Sequence, residues 1–297
     1  MKILSIIILF FSLVNNIYSQ SGWIRQYGIP NSSPNSVFFI NPDTGFVAGS
    51  KGIIQKTING GLNWFIVEDE TNLNIRQIYF PSENNGYAIG DSGLIIKTTN
   101  GGDKWIRQKS GTENMLRTLD FVNNNTGYIT SIYQLLKTTN GGNHWEIQNN
   151  IDSITDYSYV DFINPNTGWV YTDKGLYKST NSEVNWDFQY LNEFGYDMLT
   201  MFFVSDSIGY ISYSAVAISN SLLYKTVNGG TNWNLSTEVP NAMVSIFFYN
   251  NSYGWYSGAQ DQIYYTSNGG SKWTRQNVPI SSFIIFTSSY FVDSLTG

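Results

Sequence analysis

Acidic side chains are the groups in this sequence whose positions could support chemistry. They recur in the stretches between repeated segments, at Glu68, Asp69, Glu70, Glu113, Asp152, Asp156, Glu193, Asp197 and Glu238. A negative surface of this kind can steer a basic partner towards the protein or bind a cation. Ordinary solvated loops have the same composition, so both interpretations remain open at this point.

The segment that positions these loops is an eight-residue turn, best seen as TTNGGDKW at residues 98–105. Asn and Gly favour a tight connection between two antiparallel strands, because both tolerate left-handed backbone and Asn also bonds the turn. A Gly-rich phosphate loop is the alternative, but such loops open helices, and the residues before this turn have a strand pattern. The structural turn residues are predicted to be Thr57, Asn59, Gly61, Trp64, Thr98, Asn100, Gly102, Trp105, Thr138, Asn140, Gly142, Trp145, Ser179, Asn181, Trp186, Thr226, Asn228, Gly230, Trp233, Thr266, Asn268, Gly270 and Trp273.

Two markers give the period of the repeat. The Trp residues that close the turns follow one another at intervals of 40, 41 or 47 residues, starting from Trp23, and a second series of Gly residues runs at 41, 43 or 45. A period near forty with four short strands, here named a to d, is typical of a propeller blade. The aromatic after each marker Gly is predicted to lie in the core between blades, with carbohydrate stacking as the alternative.

The order of hydroxyl, Asn, Gly-Gly and Trp resembles the Asp-box, or bacterial neuraminidase repeat, with Asn in place of Asp. The longer pattern, Gly-aromatic followed by KTTNGG and Trp, is similar to the repeats of the photosystem II stability and assembly factor family. The resemblance covers nearly the whole chain after residue 19 and implies an all-β propeller. A basic, arginine-bearing partner surface is expected in that family, and the five arginines here form no matching cluster.

We therefore predict a β-propeller of six complete four-stranded blades and a partial seventh, within a domain spanning residues 20–297. The seventh copy begins near Phe286, and residues 23–26 (WIRQ) match the fourth strand of the other copies. Propellers often close when an N-terminal strand completes the last blade, which protects exposed strand edges. We expect the intact protein to be seven-bladed and this sequence to be C-terminally incomplete.

Residues 1–19 are predicted to be a secretory signal peptide. Lys2 precedes a short apolar run, and a small residue, Ser19, precedes Gln20. The run is too short to span a membrane comfortably, and a buried first strand is the alternative. We expect a secreted, periplasmic or cell-surface protein without a membrane span once the leader is removed.

The enzymes that share Asp-box turns offer two alternative functions. Sialidases use an arginine triad, but Arg25, Arg107 and Arg275 occupy the same strand d position of different repeats and so follow the repeat pattern. Xyloglucan-active endoglucanases place two carboxylates across a cleft between two propellers, with about 6.5–9.5 Å between the carboxyls for inversion. A single propeller would supply only half of such a site.

Composition excludes several other classes. The chain has 16 basic and 22 acidic residues, a net charge of −6, no Cys and one His. The negative charge argues against nucleic acid as a partner, and we predict no cofactor, metal site or catalytic residue. In a propeller the b–c turns and d–a connections share one face, so the acidic residues named above form the candidate partner face. We predict a monomeric, non-enzymatic scaffold that binds a protein or glycan, either alone or as one domain of a larger cell-surface protein.

Overall fold

The computed structural model describes residues 33–68, 71–148, 151, 156–189, 198–215, 220–239, 243–259, 262–276, 287–293 and 296–297. The predicted signal peptide and the predicted closing strand at residues 23–26 lie outside these ranges. No helix among the described residues has the length and apolar character needed to cross a bilayer.

Six antiparallel sheets of four strands each make up the described part of the chain. In the first three blades the strands are β1 (Pro34–Phe39), β2 (Gly45–Gly49), β3 (Ile54–Thr57) and β4 (Phe65–Glu68); β5 (Ile75–Tyr79), β6 (Gly86–Gly90), β7 (Ile95–Thr98) and β8 (Ile106–Gln108); and β9 (Leu116–Phe121), β10 (Gly127–Ser131), β11 (Gln134–Thr138) and β12 (Glu146–Gln148).

The next three blades repeat this arrangement. Their strands are β13 (Tyr157–Phe162), β14 (Gly168–Thr172), β15 (Gly175–Ser179) and β16 (Asp187–Gln189); β17 (Met198–Phe203), β18 (Gly209–Ala215), β19 (Asn220–Thr226) and β20 (Asn234–Val239); and β21 (Met243–Phe248), β22 (Gly254–Gly258), β23 (Ile263–Thr266) and β24 (Thr274–Arg275).

Within each blade the strands pair in sequence order, and the first strands of successive blades lie against one another. The first strands are therefore innermost and the fourth strands outermost. The second strand β6 is buried at every position, whereas the outermost strand β8 is exposed or half-buried. The predicted all-β propeller with four-stranded blades is confirmed for six blades.

A glycine at the start of each second strand permits the packing between blades. At Gly86 an added Cβ would lie 2.4 Å from Cε1 of Phe80, so the ring that follows the first strand rests directly on the glycine backbone. That ring also stacks on Phe46 of the preceding blade, with 4.4 Å between ring centroids. The same glycine contact recurs at Gly45, Gly127, Gly168, Gly209, Gly254 and Gly297.

The aromatic side chains after these glycines lie in the core between blades, as predicted. Each of them stacks on the Phe of the next blade, with centroid separations of 3.5–4.4 Å, and each is buried: Phe46, Tyr87, Tyr128, Trp169, Tyr210 and Trp255. The last of these stacks on Phe291, which lies beyond the sixth sheet.

Residues 287–293 lie between the sixth blade and the first. The amide of Ser289 donates to Oγ of Ser245 at 3.2 Å, and the amide of Val37 donates to Oγ of Ser288 at 3.5 Å. Equivalent bonds join earlier blades, for example from the amide of Ile78 to Oγ of Ser36. This segment is not paired as a strand, so the described residues form six blades and not the predicted partial seventh.

The second and third strands of the fifth blade are longer than those of the other blades. β18 and β19 pair as far as Ala215 and Asn220. The additional residues therefore extend the two strands, because each added pair continues the antiparallel ladder.

Candidate functional site

Each repeated turn is held by a hydroxyl and an amide side chain. In the second blade, Oγ1 of Thr98 accepts from the amide of Gly102 at 2.9 Å, and Oδ1 of Asn100 accepts from the amide of Lys104 at 3.0 Å. The hydroxyl also donates to Oδ1 of Asn100. The same bonds, made by the corresponding hydroxyl and Asn side chains, occur in all six turns.

The Trp that closes each turn packs edge-on against the Phe of its own blade. In the second blade the ring centroids of Trp105 and Phe80 are 5.8 Å apart and their planes meet at 83°. The other five blades have the same geometry. Aromatic pairs favour this edge-to-face arrangement because the positive ring edge meets the negative face.

The lysines before the turns link neighbouring blades. Nζ of Lys97 donates to the carbonyl of Gly141 in the next blade at 2.6 Å and lies 5.6 Å from the ring centroid of Tyr87. Lys56 and Lys225 make the equivalent bonds to Gly101 and Gly269. Burial lowers the pKa of Lys97. These lysines therefore belong to contacts between neighbouring blades.

The fourth turn has Ser182 and Glu183 in place of the two glycines. Its buried carboxylate bonds to the lysine of the preceding blade, as a glycine carbonyl does at other turns. Glu183 is 2% exposed and accepts from the hydroxyl of Tyr128 and from Nζ of Lys137, both in the third blade. Ser182 and Glu183 adopt positive φ values of 59° and 64°, which Gly adopts elsewhere. An ion pair thus replaces the carbonyl contact at this junction.

The b–c turns and the d–a connections meet on one face. The amide of Gly93 donates to the carbonyl of Asn114, and the amide of Asp173 donates to the carbonyl of Asp156. On the other face, the repeated turns bond the a–b turns, as in the amide of Gly101 to the carbonyl of Asn84. The two sets of loops are therefore separated by the length of the blades.

The predicted residues of the candidate partner face occupy different environments. Glu113 is exposed, Oδ1 of Asp156 lies 2.9 Å from Nη1 of Arg117, and Oε1 of Glu238 accepts from Asn220 at 2.7 Å. For Glu68 the structure describes only the backbone, at the end of β4. The remaining predicted residues, Asp69, Glu70, Asp152, Glu193 and Asp197, lie outside the described ranges.

Basic residues on this face were missed by the sequence analysis. Nε of Arg76 lies 2.8 Å from Oδ1 of Asp91, and this pair, like that of Arg117 with Asp156, neutralises an acidic loop residue. Lys174 lies beside Asp173 in a b–c turn. Because Arg76 follows the first residue of β5 and Asp91 follows the last residue of β6, the antiparallel pairing of these strands could have revealed the contact.

Groups for catalysis or metal binding are sparse. Among the described residues, no three His, Cys, Asp or Glu side chains are grouped so that they could hold a metal ion. His144 is exposed and lies 3.9 Å from Glu146 on the outer strand.

The comparisons with known proteins agree with this architecture. Residues 18–110 match the family model of the photosynthesis system II assembly factor YCF48. A sequence search of curated proteins found no match. Each described blade has four strands, and an Asp-box turn joins its third strand to its fourth. These features define the chain as an Asp-box propeller. Over residues 18–110 its sequence relates it to the YCF48 assembly-factor family.

Solved structures show the same fold at low identity. The chain is similar to YCF48 bound to D1 peptide, with a TM-score of 0.66, 15% identity and 84% of both chains covered. It is also similar to YCF48 from Cyanidioschyzon merolae, with a TM-score of 0.65, 14% identity, and 85% and 87% of the two chains covered. The GH74 enzyme of Niastella koreensis matches with a TM-score of 0.65 and 16% identity, over 82% of this chain and 45% of that chain.

The buried carboxylate of the fourth turn provides a stability test. Replacing Glu183 with Ala leaves Nζ of Lys137, whose side chain is 19% exposed, without its partner. We expect the free energy of unfolding to fall by about 3–5 kcal/mol, because the remaining charge is poorly solvated. Urea denaturation measures this change.

The matched control is Asp103→Ala. Asp103 pairs with Lys56, and the side chain of Asp103 is 67% exposed. An exposed pair contributes less than about 1 kcal/mol. Equal losses in the two variants would show that the fourth junction does not depend on its buried ion pair.

Proposed function

We propose that this protein is a non-enzymatic scaffold that binds a protein or glycan partner through the face formed by its b–c turns and d–a connections. The observation that carries the proposal is the way these loops are joined. Asn114, in the connection between the second and third blades, donates from Nδ2 to the carbonyl of Ile132 and accepts from Gly93 through its own carbonyl. One connection thereby braces the b–c turns of two blades, which gives a partner a preorganised surface.

Similarity to a propeller that holds a peptide supports the protein-binding alternative. YCF48 bound to D1 peptide has the same fold over most of both chains. We infer that a protein segment is the partner class that this scaffold fits best, and a glycan is the second.

The charge of the face supports a basic partner. Glu113 is exposed on this face, and the sequence adds the acidic run at residues 68–70, whereas Arg76 and Arg117 already bind Asp91 and Asp156. Complementary charge would mainly increase the association rate and select among partners.

A glycoside hydrolase or a carbohydrate-binding protein is the second candidate, favoured by the similarity to the GH74 enzyme. This chain spans 45% of that enzyme. Hydrolysis would need two carboxylates separated by a distance suited to inversion or retention. Release of reducing ends from xyloglucan by the purified chain would support this candidate and oppose the scaffold.

We also propose that the protein is exported by its first 19 residues. The basic start, the apolar run and Ser19 before Gln20 support this proposal.

We further propose that residues 287–293 are the innermost strand of a seventh blade, which residues 23–26 help to complete. The glycine contact of Phe291 with Gly297 and the bonds of Ser288 and Ser289 support the proposal, because they repeat those of the other blades.

The partner face can be tested with a lysine-rich synthetic peptide. In the variant Glu68→Gln, Asp69→Asn, Glu70→Gln, we expect affinity to fall about tenfold at low salt, because three negative charges are lost. The salt dependence of binding should also weaken. Isothermal titration at two salt concentrations measures both effects.

The control variant neutralises three exposed acids in the a–b turns on the opposite face, Asp43→Asn, Glu83→Gln, Asp206→Asn. It should bind like the parent protein. A similar loss in both variants would indicate that only net charge matters and would contradict the assignment of the face.

Export can be tested by the intact mass of the protein recovered outside the cytoplasm. We expect a chain that begins at Gln20 or Ser21. Recovery of a chain that retains residues 1–19 from that fraction would contradict cleavage.

The seventh inner strand can be tested by comparing two Phe residues at equivalent positions. Phe248 stacks on Tyr210 with 4.0 Å between centroids, and Phe291 stacks on Trp255 at 3.7 Å. We expect Phe291→Ala and Phe248→Ala each to lower the free energy of unfolding by about 3–5 kcal/mol. A change below about 1 kcal/mol for Phe291→Ala alone would indicate a peripheral segment.

A further inference from the structure

Equivalent residues of the innermost strands, one from each blade, surround the axis of the propeller. They occupy the penultimate position of the first strand in most blades, and the corresponding position elsewhere: Phe38, Tyr79, Asp120, Asp161, Phe202, Phe247 and Tyr290. The aromatic members contact their neighbours, with centroid separations of 5.3 Å, 4.5 Å, 5.2 Å and 5.6 Å along one arc. Two carboxyl groups occupy the remaining sector.

Each of these carboxyl groups reaches across a junction between blades. Oδ2 of Asp120 accepts from the amide of Phe162 at 2.6 Å, and Oδ2 of Asp161 accepts from the amide of Phe203 at 2.7 Å. These amides end β13 and β17. The pair therefore ties the third blade to the fourth and the fourth to the fifth, and we call these four groups the axial clamp.

The ionisable groups around the axial clamp do not compensate its charge. Tyr79 from β5 and Tyr128 from β10 lie near the clamp, where burial and the charge of Asp120 raise the pKa of both phenols. Burial also raises the pKa of Tyr290. Arg117, on the same strand as Asp120, is bound to Asp156 and Ser158. Within the described ranges, no ion pair joins either carboxyl group to a basic side chain.

We propose that the axial clamp is an acid-responsive device, which holds the inner strands of the third, fourth and fifth blades firmly when its carboxyl groups are protonated and loosens them when both are ionised. The carbonyl oxygen of a protonated carboxyl group still accepts the amide, so acid removes the repulsion and retains the contact. The clamp acts on the blade junctions and does not depend on the identity of a partner.

The direction of the response follows from proton linkage. Burial raises the pKa of Asp120 to about 6, and burial together with the charge of Asp120 raises the pKa of Asp161 well above its ordinary value. The folded state therefore binds more protons than the unfolded state above the ordinary carboxyl pKa. This contribution to stability is complete in acid and is lost as pH rises through about 6.

Melting temperatures between about pH 5 and pH 7.5 test the clamp. In the parent protein we expect the clamp to raise the melting temperature by about 2–4 °C at the lower pH and to lose this contribution at the upper pH. In Asp120→Asn, Asp161→Asn the amide oxygens still accept the two backbone amides without carrying charge. This variant should melt at a higher temperature than the parent at the upper pH and should lack that part of the pH dependence.

The control is Asp187→Asn, which removes an exposed carboxylate from β16 on the outer rim. It should keep the pH dependence of the parent. Parallel curves for the parent and the double Asn variant would overturn the proposal.

Amide hydrogen exchange gives a local measurement that does not need the variants to fold. In the parent protein, after correction for the intrinsic exchange rate, protection of the Phe162 and Phe203 amides should decrease severalfold as pH rises through about 6. Protection of these two amides that does not change with pH would overturn the proposal on its own.

Discussion

The fold depends on contact between a ring and a backbone without a side chain. In each described blade a Phe packs on the glycine that opens the second strand, and in the second to sixth blades it also stacks on an aromatic of the preceding blade. Any Cβ at that glycine would collide with the ring; for Gly168 the distance to Cδ1 of Phe162 would be 2.2 Å. Because the ring lies between the glycine of its own blade and the aromatic of the preceding blade, this repeated contact determines how one blade follows another.

Polar groups are arranged around this apolar stack without interrupting it. The lysines lie over the same aromatics at 5.0–5.7 Å. Three of them, Lys56, Lys97 and Lys225, donate to carbonyls of the next turn. Their aliphatic chains can cover the rings while the ammonium group reaches an acceptor. The turn hydroxyls satisfy amides that would otherwise be buried without a partner, which would cost about 1–3 kcal/mol each. The repeat therefore combines apolar packing with hydrogen bonds to the turn amides at the edge of each interface.

Much of this could be predicted from the sequence because the repeat aligns equivalent residues. The buried aromatics, such as Tyr87, and the turn residues, such as Thr98, were assigned from their spacing alone. The pairing of Arg76 with Asp91 and the role of Asp120 were not. At a position that is otherwise aromatic, an Asp looks like neutral variation until the amide of Phe162 in the next blade is known to point at it. Contacts between side chains some forty residues apart depend on the rotation between blades, which a repeat period does not specify.

The departures from the repeat are concentrated in one sector. Asp120 and Asp161 replace aromatics at the axis, and Glu183 replaces a glycine at the rim, all in the third and fourth blades. Tyr128 links the two sites, because its hydroxyl donates to Glu183 while the charge of Asp120 also raises its pKa. A repeat that had only to hold a ring together would have no reason to place carboxylates at both ends of the same junction. Because a charged group is costly to remove from water unless it is paired, this sector is where the protein departs from the simplest packing of the repeat.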